Sequence, residues 1–156
     1  PREYYAVYFS TRCDFFEIET LIKGKDAIMA RRNEIMQLRQ EHSASNKDEG
    51  LWDVFEIALE MIERGYHFSP ISLEYSQANK FILDPNDEKG LIPPFTAIDA
   101  LGDAVASTVV EARKNGPFLS KEDVVKRTKL NNSHIKTLSK MGVFDGMQER
   151  NQLSLF

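Results

Sequence analysis

Residues 95–113, FTAIDALGDAVASTVVEAR, constrain this chain more than any other stretch. A short helix-like run ends in a tight turn at Ala100, Leu101 and Gly102. A longer helix follows, with Val105, Val109 and Ala112 at i, i+4 and i+7 on one face. The pattern is helix, compact turn, helix. A compact turn takes small residues. The second helix then opens with backbone N–H groups that have no partner inside the helix, and such groups bind anions. A phosphate held there positions a protein on a duplex without reading its sequence. The same pattern also suits an ordinary helix pair packing a core, because one glycine in a turn is weak evidence.

Charge separates these two readings. The formal net charge is −4, but it is unevenly spread. Residues 1–90 carry 11 Lys and Arg against 17 Asp and Glu, whereas residues 104–142 carry 8 against 3. Basic charge therefore collects around the hairpin, as a phosphate-binding surface requires.

Other function classes are excluded by what is missing. No apolar run approaches the roughly 20 residues of a membrane helix, and no signal-peptide pattern opens the chain. A single cysteine, Cys13, forms no internal disulfide, which suits a reducing cytoplasm. His42, His67 and His134 are scattered without metal-ligand spacing and read as surface or packing residues. Asp53, Glu56, Glu60 and Glu63 fall on the polar side of one helix and read as a solvated face, not an acid–base pair. A self-contained enzyme would need a carboxylate or metal constellation, and the sequence offers none.

The order of elements follows from periodicity and caps. Residues 3–10 and 14–22 read as two short helices, with Tyr5, Tyr8 and Phe9 on one face and Asp14 as an N-cap. Residues 25–41 form an amphipathic helix through Ala27, Ile28, Ile35 and Leu38. Residues 42–50 read as a loop by composition, and 51–64 as a helix stopped by Gly65. Ile71, Leu73 and Tyr75 alternate as in a strand. Residues 80–84 and 90–95 flank a turn and predict a small hairpin, with Pro93 and Pro94 confining it to an edge. Ser120 and Asp123 open a helix over 121–128, and Asn131 caps a last one ending before Gly142. Residues 118–142 thus read as a degenerate second hairpin that packs against the first. The expected fold is mainly α with a small β-hairpin. The chain has no initiator Met and reads as a fragment.

The end of the chain is chemically unusual. Termini are commonly frayed and polar, yet Leu153, Leu155 and Phe156 follow a polar spacer. Together with the Gln152 amide they form a short peptide able to fill a hydrophobic groove on another protein. Five residues supply an affinity on the order of micromolar. Such an affinity is useful when a second contact tethers the same partner.

The pentapeptide Gln152, Leu153, Ser154, Leu155, Phe156 resembles the motif with which bacterial replication and repair proteins bind the sliding clamp. YYAVYFSTRCDFFEIE, FEIALEMIERGYHF, LIPPFTAI, FLSKEDVVKR and NQLSLF, in this order, resemble the extreme C-terminal region of PolC-type DNA polymerase III alpha subunits. The resemblance spans essentially the whole chain. It implies that residues 1–72 are the end of a fingers region and 73–92 a β-ribbon connector. It further implies a helix-hairpin-helix domain on duplex DNA at 93–147 and a flexible clamp-binding tail at 148–156.

The family's nucleotidyl transfer uses two magnesium ions held by palm aspartates. No acidic group here matches that motif, so no catalytic residue, metal ligand or cofactor is assigned to this chain. The family often reads proline-glycine-leucine-glycine where this chain has Asp99, Ala100, Leu101 and Gly102. Ala100 cannot take a positive φ cheaply, and Asp99 adds negative charge. Both predict a weak grip.

The resulting expectation is a polymerase segment that binds primer-template duplex and the clamp, in the cytoplasm at the nucleoid, with no membrane contact. Duplex DNA would meet Leu101, Gly102, Asp103 and Ala104, with the amides of Gly102 to Ala104 on one backbone phosphate. Arg113, Lys114, Lys126, Arg127 and Lys129 would add diffuse positive charge. The alternative is a free-standing repair or recombination adaptor using the same hairpin and tail.

Overall fold

The computed structural model describes residues 1–12 and 16–150. Cys13, the Asp14 cap and the 152–156 pentapeptide lie outside the described residues. Seven helices and one three-stranded sheet occur among those described, so the expected mainly α fold with a small β element holds.

Helix α1 (Arg2–Ser10) buries Tyr5 and Phe9 on one face. Phe9 sits at the centre of an aromatic cluster, 5.0 Å from the Phe68 ring and 5.8 Å from those of Phe16 and Phe81. Helices α2 (Ile18–Lys23), α3 (Lys25–Gln40) and α4 (Asn46–Glu63) follow. Ile28 and Ile35 of α3 are fully buried, as are Leu51, Val54, Phe55, Ala58 and Met61 of α4.

Helix α4 begins five residues before its expected start. Ser45 Oγ accepts from the Asp48 N–H at 3.1 Å, and Asp48 Oδ2 accepts from the Ser45 N–H at 2.9 Å. This capping box starts the helix inside the stretch that composition marks as loop. Gly65, with φ of 91°, ends it as expected.

Strands β1 (His67–Phe68), β2 (Ile82–Leu83) and β3 (Gly90–Ile92) form a sheet in the order β1-β3-β2. The expected hairpin of β2 and β3 is present and antiparallel, while β1 pairs with β3 in parallel. β3 is therefore the central strand, not an edge. Pro93 and Pro94 are compatible with that place because the ladder ends at Ile92, before their missing N–H groups would be needed.

No strand forms at 71–75. Ser72 Oγ accepts from the N–H groups of Glu74 and Tyr75, and Ser76 Oγ accepts from the Ser72 N–H. These local serine bonds replace a ladder. Ile71 and Leu73 are still buried, so the alternation was a burial signal carried by a turn.

A 3-10 turn (Phe95–Ala97) stands where the short first helix of the hairpin was expected. Helices α5 (Asp103–Arg113), α6 (Lys121–Arg127) and α7 (Asn132–Lys140) complete the chain. One continuous apolar cluster runs from Tyr5 to Phe144 and includes Ala106 and Val109 of α5 and Leu138 of α7.

Candidate nucleic-acid interface

The turn before α5 is built on an alanine in an expensive conformation. Ala100 has φ of 63°, where a Cβ clashes with the backbone. Leu101 is 4% exposed and anchors the turn in the core. Its N–H donates to the Ile98 carbonyl at 3.2 Å. The Leu101 side chain is therefore a packing group. Gly102 is the N-cap at φ of −85°, a conformation open to any residue, with no side chain to cap the helix.

The Ala106 N–H is the first in α5 to find a partner, the Gly102 carbonyl at 3.0 Å. The N–H groups of Asp103, Ala104 and Val105 find no acceptor among the described residues. Three donors at the positive end of an eleven-residue helix form an anion-binding arrangement. Two carboxylates stand beside it. Asp99 is exposed, and Asp103 Oδ1 accepts from Asn79 Nδ2 at 3.1 Å.

Two open hollows flank this turn. One of about 710 Å³ is lined by Ser10, Thr11, Asn79, Lys80 and Gly102. The other, of about 380 Å³, is lined by Lys47, Thr96, Asp99, Ala100 and Gly102. Lys47 and Lys80 are exposed and bear no ion pair among the described residues. Sequence reasoning missed both, because they come from the acidic half and reach the turn only through the tertiary fold.

The five cations expected to add diffuse charge divide sharply. Arg113 donates to the carbonyl oxygens of Leu73 and Ser76, tying α5 to the serine turn. Burial holds its guanidinium below its usual pKa. Arg127 donates to the carbonyls of Ala112, Gly116 and Pro117 and to Asp123. Both arginines are thus engaged in internal structure. Lys114 pairs with Glu111 at 2.9 Å and Lys126 with Glu122 at 3.0 Å, on the surface. Lys129 is exposed, and its backbone N–H donates to Thr108 Oγ1 at 3.0 Å. Arg113 and Lys114 lie at the far end of α5, about 15 Å from its first amides at 1.5 Å of rise per residue.

The second hairpin contacts the first directly. His134 is 5% exposed, and its Nε2 lies 3.0 Å from the Ala100 carbonyl oxygen. Its Nδ1 accepts from the Asn131 N–H at 3.2 Å, while Asn131 Oδ1 accepts from the His134 N–H at 2.8 Å. The histidine thus closes a capping box on α7 and touches the turn that precedes α5. Among the described residues no group of histidine, cysteine and carboxylate side chains could hold a metal ion.

The helix-hairpin-helix motif family matches residues 65–153, more than half of the chain and all of α5, α6 and α7. The chain belongs to that family. Its helix-hairpin-helix region holds both hairpins, with the His134–Ala100 bond between them. Helices α1 to α4 precede the match.

Full-length similarity reaches further. The chain is 44% identical over all 156 residues to DNA polymerase III PolC-type of Oceanobacillus iheyensis, covering 11% of that protein. It is 43% identical to the protein of that name from Listeria monocytogenes and 44% identical to that from Streptococcus mutans, covering 10% of each. The chain therefore spans about a tenth of the length of these curated relatives. The helix-hairpin-helix region and the helices before it both fall within this similarity. No helix among those described is long and apolar enough to cross a membrane.

Proposed function

We propose that the chain is a segment of a PolC-type replicative polymerase that holds the newly made duplex and tethers the enzyme to the sliding clamp. The open start of α5 at Gly102 carries this reading. There the amides of Asp103, Ala104 and Val105 meet one backbone phosphate. The exposed lysines Lys47, Lys80 and Lys129 add screened, non-directional attraction. Arg113 and Arg127 contribute by holding the hairpin in shape.

In this reading residues 1–72 close the fingers region and 73–92 connect it to the duplex-binding domain over 93–147. Gln152, Leu153, Ser154, Leu155 and Phe156 insert into the clamp. The parent enzyme joins deoxynucleotides to a primer with magnesium held outside this chain, in the cytoplasm at the nucleoid. The carboxylates of Asp99 and Asp103 beside these amides make for a weak duplex grip. The clamp then supplies persistence, because tethering raises effective concentration.

Salt titration of duplex binding tests the proposal. Log affinity should fall linearly with log salt, by roughly 0.9 per phosphate neutralised, with the same slope for unrelated sequences. A flat response, or a strong preference for one sequence, overturns it.

A further inference from the structure

We propose that His134 is a positioning residue for duplex binding: it holds the Ala100 carbonyl and thereby aims the open amides of α5. The inference rests on the reading that those amides meet a phosphate.

The starting point is a conformation that its own residue disfavours. An alanine at φ of 63° is disfavoured by the clash of its own Cβ with the backbone. Such backbone persists only where its surroundings over-determine it. Three contacts do so here. Leu101 is buried beneath the turn. The Leu101 N–H closes onto the Ile98 carbonyl. His134 Nε2 meets the Ala100 carbonyl itself.

The histidine is well suited to this task. Because Nδ1 accepts from the Asn131 N–H, the ring proton sits on Nε2 and points at Ala100. The ring is buried, and its backbone is locked into the first turn of α7 by Asn131 Oδ1. A second tie runs alongside. Lys129 N–H donates to Thr108 Oγ1, whose hydroxyl donates to the Val105 carbonyl at 2.6 Å. The second hairpin is therefore the fixed frame against which the first one is set.

The geometry explains why this bears on binding as well as on packing. The Ala100 carbonyl belongs to the peptide plane that leads into Leu101 and Gly102, immediately before the three open donors. Without the histidine bond, Ala100 is free to relax out of the left-handed region. That relaxation re-aims Gly102 and the amides after it. A glycine at position 100 has no such tendency, because the left-handed region costs it almost nothing.

A double-mutant cycle decides the matter. Duplex affinity of the 156-residue chain is measured by fluorescence anisotropy at one salt concentration, with urea unfolding recorded in parallel. His134→Ala should weaken binding about tenfold, the net size of one hydrogen bond. Adding Ala100→Gly to His134→Ala should restore affinity to within about twofold of the parent, because glycine holds the turn unaided. A histidine that served stability alone would change the urea midpoint and leave the duplex affinity of the folded protein unchanged.

Unchanged affinity in a folded His134→Ala protein overturns the inference, and so does absence of rescue. Should His134→Ala fail to fold, His134→Leu fills the buried site without a donor, and its cycle with Ala100→Gly is read by the same two criteria. Gly102→Asp separates the two levels of the argument. Unchanged affinity in that variant overturns the phosphate contact itself, whatever His134 does.

Discussion

The guanidinium of Arg127 donates to the carbonyl oxygen of Ala112 at 2.6 Å, closing the C-terminal end of α5 from the next helix. The same side chain reaches the Gly116 carbonyl at 2.8 Å and the Pro117 carbonyl and Asp123 at 3.0 Å. It also lies 4.6 Å from the centre of the Phe118 ring. One planar, charged fork thus organises the whole connection between α5 and α6, and it meets the negative end of the α5 dipole.

Arg127→Lys keeps the charge and loses the fork. A lysine can satisfy one or two of these acceptors and leaves the rest under-bonded. The variant should lose roughly 2–3 kcal/mol of stability, the scale of charged hydrogen bonds, while duplex affinity changes by less than about threefold. Urea denaturation and anisotropy on the same sample give both numbers. An Arg127→Lys protein as stable as the parent would show that the fork has no structural task.

Asp123 makes stability acid-sensitive. The Leu119 N–H donates to its carboxylate, Arg127 adds a second donor, and together they hold the carboxyl below the usual aspartate range. Its folded pKa lies below its unfolded one. Its contribution is therefore complete above the unfolded value of about 3.9 and is lost as pH falls through the lower folded value. Asp48, held down chiefly by the Ser45 N–H, acts in the same direction. The expected curve is flat near neutrality and falls below about pH 4. Asp123→Asn should be less stable than the parent at neutral pH and converge with it in acid. Unfolding curves across that range check the sign, and a constant gap at every pH would contradict it.

Gly102→Asp separates folding from binding at the start of α5. An N-cap carboxylate accepts from the first-turn amides and suits the helix dipole, and at φ of −85° the backbone accepts any residue. No atom lies within 4 Å of the Cβ it would add. Stability should rise by a few tenths of a kcal/mol. Duplex affinity should fall about tenfold or more, because the same amides can no longer serve a phosphate. Thermal melting with anisotropy tests the pair. A variant that binds as well as the parent would move the DNA contact elsewhere.

Deletion of Leu155 and Phe156 addresses the other partner. Removing both anchors should abolish clamp pull-down and leave duplex affinity and its salt slope unchanged. Unaltered clamp capture by the shortened chain would refute the tail as the docking peptide.

Most local devices were legible in the residues themselves. Ser120 and Asn131 cap α6 and α7 as expected, and Gly65 ends α4. Each of these involves bonds between neighbours three or four positions apart. The misreadings share a cause as well. Ser45 and Asp48 sit in a polar stretch whose composition resembles a loop, yet their reciprocal bonds start a helix. Ile71, Leu73 and Tyr75 alternate in polarity, but Ser72 and Ser76 bend the chain before a ladder can form.

Residue order alone determined that the chain is mainly helical, where Ser120 and Asn131 start helices and Gly65 stops one, and that a compact turn leads into a helix after Gly102, because these depend on short-range bonds and turn chemistry. Tertiary structure decided the rest. It set Ala100 in the left-handed region under His134, turned Arg113 and Arg127 inward to carbonyl oxygens, and brought Lys47 and Lys80 beside Gly102. Each of those outcomes joins segments distant along the chain, and only the packed core brings such segments within bonding distance.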